Sequence, residues 1–178
     1  MVVTSHKIAV VVTASTLGSA VLFGSASAAA GKEASSLPQI AGDRAAITLS
    51  ARSTPVAGSE RPTVINCPIR AAFPYLPANL PKAVAGESTT NCSVAVPRVG
   101  TQAELYRWYP GYGWALVGTG EYKYKEGTYV TSAAAEPCRG HGTSYYKTVG
   151  YHDVIFPVGY TPRSARGRTE SSPISVTC

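Results

Sequence analysis

Three groups of side chains in this sequence could act on another molecule: scattered imidazoles and carboxylates, a basic run near the C-terminus, and a concentration of aromatic rings. His152 is followed directly by Asp153, and with serine abundant elsewhere the pair invites a hydrolase triad. Neighbouring residues on a strand point to opposite faces, so Asp153 could not orient His152, and no G-x-S-x-G elbow is present. His152 is therefore read as a polar surface residue and the protein as non-enzymatic. His141 lies between glycines in Cys138-Arg139-Gly140-His141-Gly142, a composition that fits a loop entering a strand. Glu121 and Glu126 could form a carboxylate pair for sugar hydrolysis, yet Lys123 and Lys125 stand beside them and the segment reads as a solvated strand edge. With three His and four Cys in the chain, neither a metal site nor a cofactor is expected.

The aromatic residues carry more information. Most of the rings between Tyr106 and Tyr151 are expected to pack a small core, where tyrosine places its hydroxyl at the rim. Tyr109, Tyr112 and Trp114 differ, because they surround Pro110, Gly111 and Gly113 in a turn, and rings held there stay exposed. Such rings could stack on the faces of a cell-wall glycan or anchor an extracellular protein. Arg163, Arg166 and Arg168, with Glu170 as the nearby acid, read as a basic loop. That loop could attract an anionic wall polymer or, as the alternative, enter the cleft of a secreted protease as an inhibitor would. Three charges are too few for nucleic-acid recognition.

These residues must be positioned by a chain of 178 residues, 44% hydrophobic and 15% charged, with a formal net charge of +6. That balance supports one packed domain and argues against disorder. Gly 17 and Pro 13 favour short strands and turns over helices. Residues 1–28 read as a secretory signal peptide: His6 and Lys7, an apolar run from Ile8 to Phe23, and a small-residue exit at Ala26-Ser27-Ala28. The apolar run is diluted by Thr13, Ser15, Thr16, Gly18 and Ser19, so a membrane anchor is not expected after cleavage. Loss of Lys7 leaves 15 basic against 10 acidic residues, a mildly basic extracellular product. Residues 29–63 read as a flexible linker or propeptide, in which Ile47 and Leu49 could form a short extended piece.

An exported chain with an even number of cysteines should form disulfides. Val64–Arg70 and Ala83–Val96 read as an antiparallel pair with a Pro-rich bend between them, which sets Cys67 opposite Cys92. Thr143–Phe156 and Ser172–Thr177 read as strands that bring Cys138 near Cys178. Gln102–Tyr109 and Trp114–Gly118 should close a hairpin; Glu121, Lys123 and Lys125 alternate with Tyr122 and Tyr124, and Thr128–Ala134 follows. About seven strands result, the profile of an all-β, two-layer antiparallel β-sandwich of immunoglobulin-like type, spanning 64–178.

From Val64 onward the chain resembles a widespread group of small, uncharacterised secreted proteins of actinobacteria. The resemblance rests on Asn66-Cys67, on Cys92, on Ala103-Glu104-Leu105-Tyr106-Arg107, on Cys138, and on Val154-Ile155-Phe156-Pro157-Val158-Gly159-Tyr160-Thr161-Pro162, which is similar to the group's F-P-P-G-Y-x-P segment. Ser172–Cys178 resembles its closing strand. The resemblance implies a secreted, disulfide-stapled β domain and no known activity. Val158 departs from the group's second proline, and Arg163–Arg168 is more basic than the group's usual filler.

Overall fold

The computed structural model describes residues 46–54, 63–80, 82–140 and 142–178. The expected signal peptide and His141 lie outside the described residues. Among those described there are nine strands and no helix: β1 (Ala46–Ser53), β2 (Val64–Ala71), β3 (Ala83–Tyr109), β4 (Gly113–Thr119), β5 (Lys123–Pro137), β6 (Thr143–Ile155), β7 (Tyr160–Thr161), β8 (Ser164–Glu170) and β9 (Ile174–Thr177). Every pairing is antiparallel, along the path β7-β1-β2-β3-β6-β8, with β4 and β5 on β3 and β9 on β6.

Strand β2 forms for the simplest reason, strict alternation: Ile65, Cys67, Ile69 and Ala71 are buried while Val64, Asn66, Pro68 and Arg70 face water. Its free edge then recruits residues 46–53. These lie in the stretch read as linker or propeptide, where Ile47 and Leu49 could form a short extended piece, and they form a strand registered from Ala46↔Arg70 to Arg52↔Val64 with Leu49 and Ala51 turned inward. The signal was faint because only two side chains of β1 are buried.

Two strands expected at 83–96 and 102–109 are one, β3, of 27 residues. Its first part pairs with β2 and the end of β5; its second part pairs with β6, β4 and the start of β5. The register with β5 shifts between Asn91 and Val96 and again before Val99. Pro97 falls inside that irregularity, where a missing N–H breaks no regular ladder, so the chain stays extended. The count among the described residues still rises from about seven strands to nine, because β1, β7 and β8 were not expected as strands.

Inward faces of β6 and β8 lie against β1, β2 and the first part of β3. A Cβ on Gly86 would collide with the Thr148 side chain, and one on Gly167 would lie 3.2 Å from both Ile47 and Leu49 and run into Ile69. The core between these faces has two apolar clusters. One gathers Leu49, Ile65, Ile69, Val96, Val99, Val154 and Phe156 around Cys67 and Cys92; the other gathers Val84, Leu105, Ala134, Tyr146 and Val176, with Cys138 and Cys178 against it. Cys67 is bonded to Cys92 and Cys138 to Cys178, the two pairs expected from strand positions. Between the clusters runs a buried belt of hydroxyls: Ser88, Thr90, Thr101, Thr148 and Thr169.

Candidate binding face

The hairpin joining β3 to β4 turns at Pro110-Gly111-Tyr112, with Gly111 at φ 82° and Gly113 at φ 85°, values that a side chain would strain. Tyr112 N–H donates to the Tyr109 carbonyl at 3.1 Å, and the Tyr112 ring is 93% exposed at the tip. Trp108 and Trp114 face each other across the strands, ring centroids 5.4 Å apart and edge to face. Alternation along β3 sends Glu104, Tyr106 and Trp108 outward and Leu105, Arg107 and Tyr109 inward. The Arg107 guanidinium lies 4.3 Å from the Tyr109 ring centroid and pairs with Glu136 at 2.9 Å. The expected aromatic triplet is thus divided. Trp114 stands on the outward face, Tyr112 at its tip, and Tyr109 on the other side over an ion pair.

Directly opposed residues of antiparallel strands share a face, so register alone builds the surface outward of β4, β3, β6 and β8. Four successive rows cross it: Leu116, Tyr106 and Lys147; Glu104 and Glu170 on either side of the buried Val149; Gln102, Tyr151 and Arg168; Tyr124, Asp153 and Arg166 with the buried Gly100. Lys147 Nζ sits 4.6 Å from the Trp114 ring and 2.5 Å from Glu170 Oε1, and Arg168 reaches Glu170 Oε2 at 3.0 Å. Burial works to raise the Glu170 carboxyl, but the Lys147 hydrogen bond and the charges of Lys147 and Arg168 hold it below its ordinary value. Tyr106 donates to Glu104 at 2.8 Å; burial first, and then that bond, raises the phenol.

The fourth row opens into a depression of about 410 Å³, bordered by Arg98, Gln102, Tyr122, Tyr151, His152, Asp153 and Arg166. Gly100 lies beneath two of these side chains: a Cβ there would stand 2.7 Å from Tyr122 Oη and would collide with Asp153. Tyr122 donates to Asp153 Oδ1, Arg98 Nε lies 3.1 Å from Asp153 Oδ2, and Arg98 Nη2 donates to Tyr122 Oη. The same guanidinium lies 4.9 Å from the Tyr124 ring centroid, a cation–π contact. Its hydrogen bond to Tyr122, and then the Asp153 charge, raise the Arg98 pKa.

Arg166 and Arg168 were expected in a loop, and they are in strand β8, paired residue by residue with β6. The strand was hidden because its inward residues, Ala165, Gly167 and Thr169, are small or polar. Arg163 precedes β8, exposed, and its carbonyl accepts the Phe156 N–H at 2.9 Å. Tyr112, Trp114, Arg166 and Arg168 therefore belong to one side of the molecule although two separate sites were expected. Arg98, Tyr122 and Asp153 were missed as site residues. The alternation of Tyr122 and Tyr124 with lysines was visible, but the strand opposite them was not.

His152 is not a surface residue. It is 3% exposed on the inward face, its Nδ1 within 2.9 Å of Thr90 Oγ1 and 3.1 Å of Thr101 Oγ1, and its Nε2 2.9 Å from Thr169 Oγ1. Burial pushes its pKa down to about 4 against a smaller upward pull from Asp153. The ring is sealed from the outward face, so ligand contact there falls to aromatic, guanidinium, carboxylate and amide groups. No cluster of His, Cys, Asp and Glu that could hold a metal ion occurs among the described residues, and no helix among them is long and apolar enough to cross a membrane.

No protein-family model matches the chain, and no curated protein matches it.

Proposed function

We propose that this is an exported, non-enzymatic two-layer β-sandwich, immunoglobulin-like in its stapled antiparallel build, that binds a cell-envelope glycan along the outward face of β4, β3, β6 and β8. The observation that carries the reading is the composition of that face. Trp108, Trp114, Tyr106 and Tyr151 alternate with Lys147, Arg168, Gln102 and Asp153 on paired strands, so flat apolar rings stand beside donors and acceptors. Sugars present both an apolar C–H face and a ring of hydroxyls, and they need both partners. Arg98 to Trp108 spans about 33 Å at the ordinary rise of a strand, a length suited to a chain polymer. Two disulfides and the signal-like start accord with an extracellular site.

The test is retention on insoluble peptidoglycan and chitin. Wild-type protein should be retained, and Tyr112→Ala with Trp114→Ala should weaken retention by about tenfold, the loss expected for one or two stacking rings. Unchanged retention in that variant would remove the hairpin from the surface. The alternative of a protease inhibitor would have to rest on the exposed Arg163 before β8, because Arg166 and Arg168 are held in the strand and do not project as a loop.

A further inference from the structure

The depression bordered by Asp153 and Arg166 has an uneven charge. Its one carboxylate, Asp153, is already used on both oxygens: Oδ1 accepts from Tyr122, and Oδ2 lies 3.1 Å from Arg98 Nε. Arg166 sits opposite Asp153 in register yet has no ion-pair partner among the described residues. Its neighbour two positions along, Arg168, is paired with Glu170, so β8 presents one satisfied guanidinium and one open one. Across the floor, Gln102 spends its amide N–H on the Gly120 carbonyl at 3.1 Å, which leaves its side-chain oxygen as an acceptor. Tyr151 and Tyr122 also line the recess, the Tyr122 hydroxyl already engaged by Asp153 and Arg98.

Two guanidiniums against one carboxylate leave a surplus positive charge in a recess large enough for a sugar ring. Guanidinium presents a planar fork that matches carboxylate and phosphate geometry through two parallel hydrogen bonds. We infer that this recess is a subsite for a pyranose bearing an oxyanion, with Arg166 taking the anionic group, Gln102 Oε1 a sugar hydroxyl, and Tyr151 the ring. This rests on the glycan-binding reading above and specifies its ligand as an acidic sugar. The polymer would lie with one charged residue in the recess and its neighbours along the row toward Tyr106 and Trp114.

Affinity gel electrophoresis and calorimetry of the mature protein decide the matter, using oligogalacturonate, its methyl-esterified form, a phosphomannan and neutral mannan. The expected result is binding of an acidic glycan at least about tenfold tighter than its neutral counterpart, falling as salt is raised, with Arg166→Gln removing that preference. Arg166→Lys should recover little of it, since an ammonium lacks the fork. Preference for oligogalacturonate over phosphomannan assigns a carboxylate; the reverse order assigns a phosphate. Equal binding of charged and neutral glycans, insensitive to Arg166→Gln but lost in Trp114→Ala, would overturn the subsite while leaving the glycan reading in place. Retention of neither kind of glycan by wild-type protein would overturn both.

Discussion

Between pH 6.5 and about 4, acidification should destabilise this protein through one buried residue. His152 is enclosed by Thr90, Thr101 and Thr169, hydroxyls that can donate to or accept from either ring nitrogen, so a neutral imidazole is fully satisfied. A protonated ring would be a buried charge with no carboxylate among those partners. Its pKa therefore falls from 6.5 to about 4 in the folded protein. As pH drops through 6.5 the unfolded chain takes up the proton first, so stability is complete above that value and declines until the folded protein also protonates near pH 4. Two and a half pH units correspond to about 3 kcal/mol, a large part of a domain's stability. The depressed Glu170 carboxyl acts in a separate window, since its contribution is present above its ordinary value of 4.5 and lost only below it. Urea midpoints at pH 7.5 and pH 5 should differ in wild-type protein by about 2 kcal/mol, from the portion of the window between 6.5 and 5. The His152→Gln variant should show no such difference. Nuclear magnetic resonance of the imidazole supplies a check that needs no variant: a His152 ring that titrates near 6.5, or a wild-type midpoint constant across this range, would refute the reasoning.

Gly100→Ala should place a methyl against Tyr122 and Asp153, costing about 1–3 kcal/mol as an overpacked site, and should abolish any binding in the recess; thermal melting and a glycan titration measure both. Glu136→Gln should strand the largely buried Arg107 guanidinium and cost about 3–5 kcal/mol in urea, whereas Arg107→Met combined with Glu136→Leu should restore most of it. The Cys67–Cys92 and Cys138–Cys178 bridges close loops across separations of 25 and 40 residues, so Cys→Ser replacement of either pair should lower stability by about 3.5–4 kcal/mol, read from urea midpoints under non-reducing conditions.

What could be read from the sequence, and what could not, divides along one physical line. Cysteine placement on strands, the turn at Pro110–Gly113 and the alternation of β2 are local features, and they describe the molecule correctly. Alternation reports which residues share a side of a strand but not which side meets water. In β8 the outward residues are Ser164, Arg166, Arg168 and Glu170, while the inward ones are Ala165, Gly167 and Thr169. No large apolar residue marks the inner side, because Gly167 lies in close contact with Ile69 and Leu49 and nothing bigger fits. The polar belt likewise hides which side of β6, itself legible as a strand, turns inward: His152 reads as surface, although it is buried. A core that keeps hydroxyls and an imidazole between two apolar clusters erases the hydrophobic period just where the proposed binding face lies behind it. That face is then assembled by register across strands distant in sequence, with Gly100, Asp153 and Arg166 meeting in one row. Its chemistry follows from which guanidinium that row leaves unpaired, a fact carried by no single segment of the chain.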